Sequence, residues 1–449
     1  MGKNKPFYVT ENDKKRKETA LSSKNKKQTE KKSTQLTSSK KTKLRIPSRL
    51  ERLIEEYIEY KTKNPYQSPV TLNRIRQYIL AQKAGYWNSN PKARYGKGYD
   101  VFAYLAYQAP GYLIQFKHIL KFLDLKGVLP KDIILLDLGT GPGVVPLATI
   151  WYQKERKKGS LTIHAIERSI EFLEAFRFLV PEFIKGTSRI YTGDVQSCDI
   201  TVQDCKIPDN ITVLSCQNVL AELSHLSISE KAIMLMKYCS HVSEEGLIII
   251  IEPAELRHSI ELRKLQKELE SRGLFVYAPC RMLRQGTCDY ETCWSFEELP
   301  PMKPTRLMNE LADEKDGYRF INQDIKFSFT IFTKRNIQKP LPSGFLNSTT
   351  PLSELQDHLG ELVNVTGVKM SRDIGNPNFS VFLICDGASI TKTYLIIPRV
   401  LRNDDVKFAY RAGYGEILTI QNVRVRWNEK KNAFNLVSGV RTRLSATNI

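Results

Sequence analysis

No apolar run in this chain approaches the length of a membrane span; Leu247 to Ile251 is long enough only for a buried strand. The phosphate-binding pattern G-x-x-x-x-G-K-[ST] is missing, and so is the G-x-G-x-x-G spacing of a dinucleotide site. Cysteine is sparse, eight in 449 residues. With no signal peptide, this points to a reducing, cytoplasmic setting in which clustered thiols bind metal more often than they pair. Acidic residues are in short supply, 48 against 68 Lys and Arg, and the resulting charge of +20 suits a polyanionic partner, nucleic acid above all. Solubility alone is the plainer reading of the same charge.

The length and 41% hydrophobic content allow two or three cores. The basicity concentrates in residues 1–48, where Lys14-Lys15-Arg16-Lys17, Lys26-Lys27, Lys31-Lys32 and Lys40-Lys41 stand among Ser, Thr and Gln. This tail holds too few apolar side chains to offset its ordering entropy, so it is expected to be a disordered, phosphate-binding arm. Residues 49–125 show helical spacing (Leu53, Ile54, Tyr57, Ile58; Ile75, Ile79, Leu80) and read as a helical N-terminal extension. Whether Tyr95, Tyr104 and Tyr107 within it face a substrate or pack its core stays open.

Residues 126–335 alternate strands and helices, the pattern of a parallel doubly wound sheet. Its first strand runs into Asp137-Leu-Gly139-Thr-Gly141-Pro-Gly143 and then an apolar helix start. Such a turn presents backbone N–H groups and a helix N-terminus to a ligand. Glu167 ends the second strand, where a carboxylate can accept both hydroxyl protons of a ribose. Asp194 follows the third strand and is placed to accept from an adenine amine; Gln217 closes the fourth. The D-x-G-x-G-x-G spacing resembles motif I of the class I S-adenosylmethionine (SAM) methyltransferases. That resemblance implies an α/β fold with a seven-stranded Rossmann-like sheet, and SAM bound by Asp137, Gly139, Gly141, Gly143, Glu167, Asp194 and Gln217.

No catalytic group accompanies the pocket. The [DNS]-P-P-[YFW] stretch of enzymes that methylate exocyclic amines is absent after the fourth strand, where Leu214-Ser215-Cys216-Gln217-Asn218 stands instead. Cys216 lacks the preceding proline of a pyrimidine C5 nucleophile and is expected to be a buried structural thiol.

Three cysteines then fall within fourteen residues, Cys280, Cys288 and Cys293, in an insertion at 278–300. Soft sulfur ligands select zinc or iron–sulfur clusters, and both normally need one ligand more. Residues 336–449 change to short strands separated by Gly, Asn and Asp turns, the pattern of an OB-like β-barrel. Arg399, Arg402, Lys407, Arg411, Arg424, Arg426, Arg441 and Arg443 interleave there with Tyr394, Phe408, Tyr410, Tyr414 and Trp427. Basic residues with stacking aromatics suit single-stranded nucleic acid; ordinary barrel core is the competing explanation for the aromatics.

The order of AYLAYQAPGY, LSCQNVLAEL, IIIIEPAEL, APC with two further cysteines, KFSF, Cys-Asp-Gly and YRAGYGE resembles the methyltransferase-like family of small-ribosomal-subunit (mitoribosomal-type) assembly factors. That resemblance implies rRNA and the small ribosomal subunit as partners. It also implies a four-cysteine iron–sulfur cluster (4Fe-4S, with zinc second) on Cys280, Cys288, Cys293 and Cys385. The function it implies is a SAM-binding assembly factor; the alternative is a catalytically active rRNA methyltransferase. Nothing in the sequence speaks for DNA or for a membrane.

Overall fold

The computed structural model describes residues 44–87, 98–202, 205–401 and 404–446. The basic arm before residue 44, Tyr95 and Arg402 lie outside the described residues. The folded unit starts earlier than the composition suggested: Leu44 bridges to Met302, and Ile46 is buried in the main core.

Four helices come first, α1 (Ser48–Thr62), α2 (Pro69–Trp87), α3 (Tyr99–Tyr107) and α4 (Ala109–Leu125). The sheet region follows with β1 (Ile133–Leu138), α5 (Val144–Arg156), β2 (Leu161–Glu167), α6 (Ile170–Ile184), β3 (Ile190–Ser197), β4 (Ile211–Gln217), α7 (Ile228–Cys239), β5 (Val242–Pro253), α8 (Leu256–Ser271), β6 (Phe275–Ala278), β7 (Glu297–Leu299), α9 (Arg306–Ala312) and β8 (Ile325–Thr333). The sheet order is β3-β2-β1-β4-β5-β8-β6, with the short β7 also paired to β8. Strands β1 to β5 pair in parallel, and β8 runs antiparallel to β5. The expected doubly wound sheet is therefore present, with eight strands rather than seven, because β7 forms where the chain leaves the cysteine insertion.

Both faces of the sheet are covered, which is why its central strands are apolar at nearly every position. In β5, Leu247, Ile249 and Ile251 point into a core shared with α5, α6 and the N-terminal helices, while Ile248 and Ile250 point into a second core under α7 and α8. The N-terminal helices thus add a layer to the sheet domain rather than forming a separate one. Each fully buried Ile or Leu here stabilises the fold by about 1.5–3 kcal/mol. No helix among the described residues is long and apolar enough to cross a membrane.

The C-terminal part contains β9 (Leu362–Lys369), β10 (Phe379–Cys385), β11 (Lys392–Pro398), α10 (Asp404–Arg411), β12 (Ile417–Asn428) and β13 (Ala433–Ala446). The strands close into a five-stranded barrel in the order β10-β11-β13-β12-β9. Only β11 and β13 pair in parallel. The barrel has its own core, including Val365, Phe382, Leu395, Leu418 and Leu436. Val368, Met370, Tyr414 and Ile417 instead pack into the sheet domain's core, so one barrel wall is docked.

Candidate cofactor pocket and cysteine cavity

The direction of strand succession reverses between β1 and β4, and a pocket of about 170 Å³ opens beyond their carboxyl ends. Gly139, Gly141, Glu167 and Gln217 line it. The three loop glycines all have positive φ (66°, 55° and 90°), and their surroundings separate their roles. A Cβ on Gly141 would meet nothing within 4 Å, whereas on Gly143 it would stand 2.8 Å from Val180 and 2.9 Å from Phe176. Gly141 therefore forms open pocket lip, and Gly143 allows α5 to approach α6 closely. Glu167 accepts hydrogen bonds from the N–H groups of Gly141 (2.9 Å) and Ser169 (2.8 Å), leaving further lone pairs for a ligand. Burial pushes its carboxyl up despite those bonds.

Asp137 is 1% exposed and stands beneath the loop, outside the pocket wall. It accepts from the Ser215 hydroxyl at 2.6 Å, its Oδ2 is buried without a partner, and burial pushes it up to about 7. It braces the loop rather than facing the pocket.

Asp194 is a correction. Strand β3 continues to Ser197, so Asp194 lies within the strand, exposed, and does not line the pocket. Gly193 does not end the strand: a Cβ there would stand 2.5 Å from the His164 ring, so this glycine makes room for a neighbouring side chain. The acid that reaches the pocket from this strand's end is Asp199, fixed by the Thr201 N–H (2.9 Å) and hydroxyl (2.7 Å). Beside it Cys198 and Cys205 form a disulfide, contrary to the expectation from cysteine usage. Tyr104 lines the pocket and Tyr107 does not. Wall residues the sequence does not single out include Gln108, Asn218, Glu222 and Asp199. The only signal for Asn218 and Glu222 was their place in LSCQNVLAEL, directly after β4. Cys216 is buried and its thiol is pushed far up by burial, as suits a structural residue.

A second cavity, about 390 Å³, lies where the cysteine insertion meets the barrel. Cys280, Cys288, Cys293 and Cys385 all line it, although Cys385 is more than ninety residues away in sequence. Two features hold the junction together. Leu283 N–H donates to Asp386 O (2.9 Å), and Gly387, at φ 82°, lets the Arg281 carbonyl come within 2.8 Å of where a Cβ would stand. Arg263 is 2% exposed and forms part of the cavity wall; its guanidinium donates to Gln266 Oε1 (2.6 Å), Phe329 O (2.8 Å) and Cys280 Sγ (3.5 Å), with no carboxylate partner among the described residues. As placed, no group of three or more His, Cys, Asp or Glu among the described residues has the arrangement to hold a metal ion.

On the barrel, Arg424 and Arg426 alternate with buried Val423 and Val425 and so point outward, as Arg441 and Arg443 do around buried Thr442. Trp427 (38% exposed) and Tyr410 (45%) share the outer surface. Tyr414 takes the core alternative: it is buried, hydrogen-bonded to Ser295 and packed edge-on against Phe329, at the junction with the sheet domain. Arg399 is already paired with Asp373.

Residues 353–447 match the C-terminal domain of a family described as a domain of unknown function, DUF8157. No curated protein matches the chain. Among solved structures, it is similar to a candidate RNA methyltransferase from Pyrococcus horikoshii (14% identity, covering 58% of this chain and 98% of that one, TM-score 0.32). It is also similar to the magnesium protoporphyrin IX methyltransferase of Synechocystis PCC 6803 with bound SAH (12% identity, 60% and 97%, TM-score 0.31). A third likeness is to the plantazolicin methyltransferase BpumL in complex with SAH (11% identity, 63% and 100%, TM-score 0.30). At these scores the likenesses carry no argument of their own, and the α/β architecture rests on the strand order and pairing described above.

Proposed function

We propose that this protein binds SAM in the pocket beyond β1 and β4 and works in assembly of the small ribosomal subunit, contacting rRNA through the outward basic face of an OB-like barrel. The observation that carries the cofactor assignment is the convergence of Gly139, Gly141, Glu167 and Gln217 on one pocket at the switch point of the sheet. Those residues suit the group: Gly141 leaves open space, Glu167 keeps lone pairs for ribose hydroxyls, and Asp199 supplies an acceptor from the end of β3. Bound there, SAM supplies an electrophilic methyl group; the chain's part is to hold and orient it.

The same reading includes an iron–sulfur cluster on Cys280, Cys288, Cys293 and Cys385. Its support is the shared cavity and the charge of Arg263. A buried guanidinium without a carboxylate is costly, and thiolates around an iron–sulfur core would supply the missing negative charge. Against it, no group of three or more His, Cys, Asp or Glu among the described residues is arranged to hold a metal ion. Zinc on the same four thiols is the second choice. Active methylation of rRNA is the second functional reading, favoured by the polar wall of the pocket considered below. Calorimetric titration of the full chain with SAM and SAH tests the cofactor assignment, and absence of binding overturns it. RNA crosslinking in cells with mapping of the contacted nucleotides tests the partner: contacts outside small-subunit rRNA overturn it.

A further inference from the structure

One wall of the SAM pocket holds polar groups that the protein itself leaves unsatisfied. Gln108 Oε1, at the break between α3 and α4, is buried without a partner; so is Asn218 Nδ2, directly after β4. The Glu222 carboxylate, four residues on, lines the same pocket and has no hydrogen bond or ion pair among the described residues. Asn218 also sits at φ 57°, a left-handed backbone position that asparagine tolerates and that turns it out of the strand line. Unsatisfied buried groups destabilise a fold, so two of them on one pocket wall, beside the half-buried Glu222 carboxylate, point to a ligand that completes them.

The glycine loop, Glu167 and Asp199 account for the cofactor in the reading above, and Gln217 stands at its boundary. The remaining wall offers acceptor, donor and acceptor: Gln108 Oε1, Asn218 Nδ2 and Glu222. An N–H donor beside a ring-nitrogen acceptor complements this set, and that is the edge of an amino-bearing base. Tyr104 and Phe172, packed edge to face at 5.3 Å, line the pocket, as does Tyr112, and give it aromatic surface for a flat ring.

We infer that Gln108, Asn218 and Glu222 form the methyl-acceptor subsite for the exocyclic amine of an adenine or cytosine base in RNA, with Glu222 accepting the amine proton. The inference rests on the SAM reading of the pocket. In the reaction the amine nitrogen bonds to the methyl carbon as the sulfur–methyl bond breaks, its electron pair staying on sulfur. The displaced N–H proton passes to the Glu222 carboxylate and then to solvent. Burial, then the charge of Glu167, pushes Glu222 up to about 8 against the opposing pull of Arg168, so its carboxylate, once ionised, is a stronger base than an ordinary Glu. The proline motif missing after β4 is thus replaced by side chains from Asn218 and Glu222 together with Gln108 from the helical layer.

The test uses the full chain saturated with SAH and three five-nucleotide RNAs that differ only in the central base: adenine, cytosine or uracil in a uridine background. Binding is read by calorimetry for wild type, Asn218→Ala and Glu222→Gln, alongside SAH binding to each. The expected result is a wild-type preference for the adenine or cytosine centre over uracil of about tenfold, lost in both variants, with SAH affinity held within about twofold. No preference in wild type, or its survival in both variants, overturns the subsite. Loss of SAH binding by the variants would return these residues to the cofactor site and overturn it too. Failure of wild type to bind SAH would overturn the cofactor reading first and the subsite with it.

Discussion

The carboxylate of Glu167 holds the backbone N–H of Gly141 at 2.9 Å, so the end of the second strand and the tip of the glycine loop form one unit. Both line the same pocket. Glu167→Gln keeps the side chain's size but loses half its acceptor capacity. It should weaken SAM binding by about tenfold to a hundredfold, the loss of one or two charge-assisted hydrogen bonds, as read by calorimetry.

Two glycines of the loop should fail differently. Gly143→Ala drives a methyl group into Val180 and Phe176 and should cost about 2 kcal/mol of stability by overpacking and backbone strain. Gly141→Ala meets no protein atom and should cost about 1 kcal/mol from its positive φ alone, while SAM affinity falls. Denaturant melts and SAM titrations of both variants separate the roles, and equal stabilities would refute the distinction.

The two acids of the β3 region make a direct comparison. Asp199→Asn should reduce SAM affinity, whereas Asp194→Asn should leave it within about twofold. The reverse result would restore the placement that sequence alone suggested.

Glu252 should make stability depend on pH. Burial pushes its carboxyl up to about 7 from the ordinary 4.5, although the N–H groups of Leu220 (3.0 Å) and Ala221 (2.9 Å) act to lower it. The folded chain therefore keeps this proton in a range where the unfolded chain loses it. The contribution is fully present below the ordinary value and is lost as pH rises toward 7. Relative to Glu252→Gln, wild type should melt progressively earlier between about pH 4.5 and 7.5, with a total change of roughly 3–6 °C. A flat difference across that range would refute the shift.

Cys385→Ser should remove the same metal as Cys280→Ser if the barrel and the insertion share one cluster. Protein purified without oxygen should be brown, with absorbance near 400 nm on the order of the usual thiolate-to-iron bands. Each single substitution should bleach it. A colourless protein carrying one zinc would replace the cluster by its runner-up. On the barrel's outer face, Arg424→Ala with Arg426→Ala should lower RNA affinity and flatten its salt dependence by about 0.7 in slope for each phosphate no longer neutralised.

The parts of the fold that periodicity encodes were legible in the sequence. Apolar runs marked β1, β2, β4 and β5, and alternation marked the barrel strands, because burial on two faces or one leaves those patterns directly. What failed was local. Asp194 is expected just past the third strand, yet the strand runs on through Gly193, whose small size serves the His164 ring, and a single sequence cannot tell a glycine that ends a strand from one that makes room. Tyr414 looked like a stacking residue because surface and junction aromatics have the same composition. Glu222 and Gln108 were passed over because their meaning lies in lacking a partner, which appears only when three elements converge. Cys385 joins the other thiols through resemblance rather than spacing, since no local pattern links a barrel strand to a loop ninety residues earlier.

The hydrogen bond from Leu283 to Asp386 and the close approach at Gly387 fasten the cysteine insertion to the end of a barrel strand. One side of the 390 Å³ cavity therefore belongs to the sheet domain and the other to the barrel. The two parts are not interchangeable modules. A truncation after residue 335 would strip the sheet domain of a cavity wall and expose Phe329 and the Arg263 guanidinium to water. Conversely, a chain cut between them would separate Cys385 on the barrel from Cys280, Cys288 and Cys293 on the insertion, so no one part keeps all four thiols.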